Sequence, residues 1–535
     1  MRAWRCGLLM LAGTFALLVT LHFPFLPLPY FWDEAGYYIP AALDFYHSWL
    51  LIPQSTLTTG HTPLVPVYLA TAWRVFGYSP VVTRVAMLLL AAATVMALYA
   101  LARLVAERET AFWGCLLLAL SPLFFAQSTL AHLDLVAGLF TVLAVTALLQ
   151  RNMPLFAFTA SLTILSKETA VVLLPVAWLF AWRMRIVGAR HGVPLQKAWA
   201  WLSAPLLPLL AWAIYYHHST GYWTGNSEYL QYNLYSTLSP LRVFFTLLRR
   251  LYELLIGGFN WLLVLGASLA ICKGAKSQPE DPSAVAAVSD RRKSSALAER
   301  RYSSAEERRR LRRELFFLAG GLCGVYVLML SVVGGAILPR YLLPALPLFY
   351  LLAVLVVSRL RPRIARSIYV VVAACFVWAW FINPPYPFPF EDNLAYADFV
   401  RLHQQAAQFL TERSNPARAA RGEPRILTAW PACDELTRPF LGYVQKPLQV
   451  VSVRGFTPGD FDAVAPASFD LLYLYSRKWA PHNNWLEQFP QLEKMQEHYF
   501  DYAPQVRSEV LVTRFNLKLL AQFERRGQWV RIYSK

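Results

Sequence analysis

Long apolar runs recur through the first two thirds of this chain and limit its possible folds more than any other feature. They lie near residues 6–25, 81–102, 111–128, 131–149, 154–166, 168–182, 198–216, 248–271, 315–338, 341–358 and 367–382. A helix needs about 20 apolar residues to cross the hydrocarbon of a bilayer. The runs therefore predict about eleven transmembrane helices, with the two beside Lys167 short. Composition agrees, since 56% of the residues are hydrophobic and only 15% are charged, against roughly 25% charged in soluble domains. The expected fold is a polytopic α-helical membrane protein.

The formal net charge of +18 does not point to nucleic acid, because Lys and Arg gather at the ends of apolar runs and form no stripe with interleaved aromatics. Membrane lipid is the expected partner. Basic connections carry Arg2 and Arg5, Arg103 and Arg108, Arg151, then Arg183, Arg185, Arg190 and Lys197, the segment 272–313, and Arg359, Arg361, Arg363 and Arg366. They alternate with connections of low charge: the first, 26–80, holds only Arg74, and 217–247 only Arg242. Positive residues near span ends stay on the cytoplasmic side. That rule predicts a multi-pass protein of the inner (plasma) membrane, amino terminus cytoplasmic and carboxyl-terminal part extracytoplasmic. The first run leads into "FPFLPLPYFW", which lacks a small-residue cleavage site and reads as an uncleaved span. The segment 272–313, rich in Ser, Ala and charge, reads as a solvated, partly helical cytoplasmic loop. The cysteines stand singly and lack metal-ligand spacing.

Two domains are expected: a membrane domain over 1–383 and a soluble extracytoplasmic α/β domain over 384–535. In the second, "YADFVRLHQQAAQFLTER" has helical spacing, while "RILTAW", "LQVVSV", "FDLLYLY", "EVLVTRF" and "WVRIYS" read as short strands. "TAWPACDELTRP", residues 428–439, reads as a strand, a turn and a helix start.

The chemistry-bearing residues collect on the outer side. "LPYFWDEAGYYIPAALDFY" sets Asp33 and Glu34 just beyond the first span, and the same side gathers His61, His132, Asp134, Lys167, Glu168, His217, His218, Arg340 and Tyr341. Ionisable groups at a bilayer edge are costly unless they pair, meet water or work. A carboxylate there can serve as general base towards a hydroxyl, and Lys or Arg can neutralise a departing phosphate. Plainer roles stay open: Asp33 as a helix cap, Lys167 snorkelling or paired with Glu168, Arg340 as an interfacial anchor, Tyr341 as packing.

The stretches "DEAGYYIPA", "HTPLVPVYLATAWRVFG", "SKETAVVLLP" and "LPRYLLPALP" resemble, in order and topology over roughly residues 1–380, the GT-C superfamily of multi-spanning glycosyltransferases. The specific resemblance is to glycosyltransferase family 39, the protein mannosyltransferase and aminoarabinose lipid A transferase group. It implies transfer, with inversion, of a sugar from a polyprenyl-phosphate donor at the outer face to an acceptor hydroxyl on a lipid, protein or glycan. By the resemblance Asp33 is the general base, Glu34 its partner in the acidic motif, and Lys167 and Arg340 the ligands of the donor phosphate. His61, Asp134, Tyr341 and Glu168 are candidates for the acceptor or for supporting roles. Related sequences often place an acidic residue before a Lys-Pro pair, where this chain has "GHTPL". The sequence assigns no cofactor for certain, a divalent metal stays open, and His61 and His217 are its candidate ligands. Two alternatives stand beside this reading: a transporter or flippase, for which neither an internal repeat nor mid-membrane charge is evident, and an inactive glycan-binding scaffold.

Overall fold

Each apolar run folds as helix, and the breaks fall where residue chemistry forces them. The run 111–128 divides at Ser121 into Arg108–Leu120 and Pro122–Gln127, and the run 198–216 divides before Leu206, at Pro205, into Leu195–Ser203 and Leu206–Thr220. Proline removes a backbone donor and clashes with the preceding turn. The run 248–271 breaks at Gly257–Phe259, where Gly258 and Phe259 take φ of 57° and 68°. Starts are equally local: Ser79 accepts a hydrogen bond from the Val82 amide at 3.2 Å and Pro80 follows, opening Pro80–Val105.

The computed structural model describes residues 2–187, 195–274, 293–384, 388–414, 423–479, 488–500 and 504–535. Among them, six helices are long and apolar enough to cross a membrane: Arg5–Phe25, Pro80–Val105, Ala198–Thr220, Pro240–Cys272, Ala305–Val332 and Pro362–Ala379. Leu64–Phe76, Leu133–Leu149, Met153–Ser166 and Leu346–Val357 are shorter apolar helices. Residues 275–292 of the expected cytoplasmic loop, and Arg190, lie outside the described residues; from Lys293 the chain is one helix to Val332.

Helix Pro240–Leu255 is inside out. Arg242, Thr246 and Arg250, four residues apart, are buried, while Leu241, Phe244, Leu248 and Leu251 are exposed. Such a helix is stable only where the surrounding solvent is itself apolar, as at a lipid-facing surface. The segment 26–80, expected as a loop, contains two helices, Ile39–Ser48 and Leu64–Phe76.

The soluble part forms a five-stranded sheet of β1 (Ile426–Ala429), β2 (Val450–Val453), β3 (Leu471–Tyr475), β4 (Lys518–Arg525) and β5 (Gln528–Ser534) in the order β2-β1-β3-β5-β4. β1 is parallel to β2 and β3, and β5 is antiparallel to β3 and β4. Helix Ala395–Arg413 packs on β4 and β5. Residues 509–515, "EVLVTRF", are not the strand expected. They belong to helix Ser508–Phe515, whose buried Ser508, Leu511 and Phe515 have helical spacing and which Asn516 ends at φ 49°. β4 was hidden because Lys, Gln, Glu and Arg dilute its strand signal. Arg526 and Gly527, both at positive φ, close the β4–β5 hairpin with the twist that two-residue turns prefer.

The sheet domain is pinned to the membrane helices close to the acidic motif. The Tyr30 amide donates to the Leu441 carbonyl at 3.3 Å, the Tyr443 hydroxyl to the Tyr30 carbonyl at 3.0 Å, and the Tyr78 hydroxyl to the Phe440 carbonyl at 2.6 Å.

Candidate functional site

Asp33 and Glu34 are adjacent in sequence and therefore diverge by about 100° around a helical turn. They open a π-helical turn, Glu34–Tyr38, preceded by Trp32 at φ 45°. Single wide turns of this kind are a common way to re-aim side chains at working sites.

Glu34 points inward and is fully buried. It accepts from the Phe31 amide at 2.9 Å, the Ala131 amide at 2.6 Å and both terminal nitrogens of Arg84, with Nη2 at 2.9 Å. Arg84 also donates to the Thr129 carbonyl at 2.8 Å and the Pro29 carbonyl at 3.0 Å. Glu34 was a catalytic candidate beside Asp33; in this structure its carboxylate holds the acidic turn against the 129–131 turn. Replacing Glu34 by Ala leaves Arg84 charged and buried. We expect a loss of about 3–5 kcal/mol, seen as a lower midpoint in thermal denaturation of the detergent-purified protein.

Asp33 points the other way, 19% exposed, and pairs with Nη2 of Arg340. Arg340 is buried and donates through Nη1 to Glu391 at 2.5 Å, with the Nε2 of His132 3.2 Å away; its Nε lies 3.7 Å from Asp134. Asp134 in turn accepts from Lys167 at 2.6 Å. Lys167 is therefore bound to Asp134, not to Glu168. Five of the residues singled out in sequence, from the acidic motif, "HLD", "SKE" and "LPRY", meet here in one cluster: Asp33, His132, Asp134, Lys167 and Arg340.

Tyr341 is the hub of the cations. Lys167 Nζ lies 3.9 Å from its ring centre, and the guanidinium carbons of Arg340 and Arg250 lie 5.4 Å and 5.7 Å away. Arg250 was missed because Arg249 and Arg250 in "TLLRRLYELL" read as topology charge; a cation inside an apolar run was the available signal. It is fully buried, donates to Glu253 and to the Leu338 carbonyl at 2.8 Å each, and leaves Nε and Nη2 without a hydrogen-bond partner among the described residues. Glu391 was missed because "FPFEDN" looks like the start of ordinary soluble sequence. Burial pushes its carboxyl up to about 7. Burial also raises the Tyr38 hydroxyl well above its usual range.

His61 stands at the margin, its Nδ1 3.0 Å from both oxygens of Glu168, with Tyr38 and Tyr229 rings 6.3 Å and 5.7 Å away. His217 stacks on Trp223 at 4.1 Å, and His218 is exposed. Among the described residues no three His, Cys, Asp or Glu side chains are arranged to hold a metal ion. The His61–Glu168 pair supplies two groups hydrogen-bonded to each other, and His217 adds none. The donor set does not fit a metal centre.

The soluble domain roofs the acidic turn. Trp430 lies 5.2 Å from Trp32 and 6.0 Å from Tyr37, ring centre to ring centre. Its ring leaves no room on Gly36, where an added Cβ would come within 2.9 Å of the indole.

Solved structures share this arrangement of helices and sheet. ArnT from Cupriavidus metallidurans bound to undecaprenyl phosphate superposes with a TM-score of 0.53 at 14% identity, over 97% of both chains. Its apo state gives 0.51 at 13%, over 99% of this chain and 98% of that one. This is the GT-C glycosyltransferase fold. The family model for dolichyl-phosphate-mannose-protein mannosyltransferase matches residues 60–216 of the chain. With these matches the chain resembles glycosyltransferase family 39. The archaeal oligosaccharyltransferase AglB from Archaeoglobus fulgidus is also similar, at 10% identity and a TM-score of 0.46, over 87% of this chain and 69% of that one. No curated protein sequence matches. Asp33 and Arg340 meet directly, and the 129–134 turn reaches the same place through the Ala131 amide on Glu34 and through His132 and Asp134 beside Arg340.

Proposed function

We propose that the chain is a membrane glycosyltransferase that moves a sugar from a polyprenyl-phosphate donor to an acceptor hydroxyl at the outer face of the cytoplasmic membrane. The observation that carries the reading is the pairing of Asp33, the partly open carboxylate of the first outer segment, with Arg340 in a nest that also holds Lys167, Tyr341 and Arg250. A base and a set of cations are needed at one place: the base takes the acceptor proton as oxygen attacks the anomeric carbon, and the cations stabilise the phosphate that leaves. The ArnT structure bound to undecaprenyl phosphate supports a polyprenyl phosphate as the carrier.

In this reading Asp33 is the general base. Lys167 and Arg340 bind the donor phosphate, joined by Arg250, whose two unpartnered nitrogens are an unusual expense for a buried guanidinium unless an anion meets them. Asp134 orients Lys167, and His61 with Glu168 borders the acceptor side. The soluble domain covers the site.

The test is transfer from a panel of radiolabelled polyprenyl-phosphate sugars by purified protein in lipid, with native membrane extract as acceptor. A labelled product identifies the sugar and the acceptor together. No transfer from any donor by a folded sample would sink the reading. Lys167→Met should weaken donor binding by about tenfold or more, the worth of one charge-assisted hydrogen bond; an unchanged dissociation constant for the lipid phosphate would remove Lys167 from the phosphate site.

A further inference from the structure

Arg340 is already engaged at both ends of its guanidinium, by Asp33 on Nη2 and by Glu391 on Nη1 at 2.5 Å. Its Nε, 3.7 Å from Asp134, makes no hydrogen bond among the described residues, and a phosphate can take the two terminal nitrogens only if a carboxylate yields. Asp33 is required as the base, and Asp134 is held by Lys167 at 2.6 Å. Glu391 is the group free to yield. Its Oε2 is held by Arg340, and its buried Oε1 has no hydrogen-bond partner among the described residues. Its backbone is held separately, by Gln127 Nε2 donating to the Glu391 carbonyl at 3.2 Å.

We propose that Glu391 gates Arg340: as an anionic phosphodiester binds, Glu391 takes a proton from solvent and the guanidinium passes from its carboxylate to the phosphate. The inference rests on Arg340 being a phosphate ligand. One O–H bond forms and one proton leaves solution for each phosphate bound. The single negative charge of the phosphodiester replaces the one that Glu391 loses, so the buried nest keeps its balance.

The surroundings suit this exchange. Burial outweighs the pull of Arg340 and, with Asp33 and Asp134 nearby, places the Glu391 carboxyl at about 7, where proton uptake is easy at neutral pH. The groups facing it are Arg340, Asp33, Asp134 and His132, whose Nδ1 lies 3.9 Å from Oε2. Asp392 follows it, raised by burial and by Glu253, with Arg249 and Arg250 opposing. On the adjoining helix Ala395–Arg413, Tyr396 is bonded to Thr129 and Asp398 to Arg525.

The experiment is calorimetric binding of a phosphodiester that does not titrate in this range, a short-chain polyprenyl methyl phosphate, to the full chain in lipid nanodiscs between pH 5.5 and 8.5. For one linked group near 7, affinity should be about tenfold weaker at pH 8 than at pH 6. Binding heats in buffers of different ionisation enthalpy should show uptake of up to one proton in the wild type, a count that needs no variant. Glu391→Gln should hold the acid-side affinity across the range. Binding without proton uptake overturns the gate and leaves the transferase reading standing. No phosphodiester binding at any pH overturns both. A pH dependence kept in Glu391→Gln and lost in Asp392→Asn overturns the assignment to Glu391.

Discussion

Asp33→Asn should lower the turnover of sugar transfer by about a hundredfold to ten-thousandfold, the span that general-base help contributes, while donor binding does not weaken. The reason lies in the geometry. Asparagine keeps the shape and can still accept from Arg340 through its amide oxygen, but it cannot take the acceptor proton. It also lightens the competition for Arg340, so the donor phosphate meets a less occupied guanidinium. The result is a split: kcat falls and the dissociation constant for the polyprenyl-phosphate donor stays level or improves. Full turnover in the variant would take Asp33 out of the reaction. A parallel loss of donor binding and thermal stability would make it a structural residue.

Arg250→Leu should weaken donor binding by about tenfold to a hundredfold, beyond what its effect on stability explains. A hydrogen bond to a charged group contributes about 1.5–3 kcal/mol, and a factor of ten corresponds to about 1.4 kcal/mol. Loss of the structural contacts of Arg250 is partly covered, because Glu253 also accepts from Nε of Arg249 at 2.9 Å. Titration of the variant with polyprenyl phosphate, beside its melting curve, separates the two effects. Wild-type affinity would mean that the unpartnered nitrogens serve no anion.

Much of this was legible in the sequence because a bilayer makes charge expensive. Lys167, Asp134 and Arg340 stood out as polar residues at the ends of apolar runs, and the loop-charge alternation placed them on one side. The same contrast failed where the background changed. Glu391 follows the last span in sequence of ordinary polarity and carries no mark of its burial. Arg250 sits in a run with neighbours that also carry charge. Glu34 could not be separated from Asp33, since the divergence of their side chains depends on a local turn, Glu34–Tyr38, that no periodicity announces. In the soluble domain, Val510, Val512 and Thr513 gave 509–515 a strand-like look that the burial of Leu511 and Phe515 overrode.

The fit of Trp430 over Gly36 bears on how such a protein could acquire new acceptors. Exchange of the outer domain between related chains is the obvious route to a new specificity, since the membrane part would keep the donor and the base. Here that seam runs through the acidic turn itself. A transplanted domain that keeps this indole needs a recipient turn whose residue 36 is still glycine. Recombination that sets a larger residue at 36 beneath the same indole brings the two into collision, which ties the history of the roof to that of the floor.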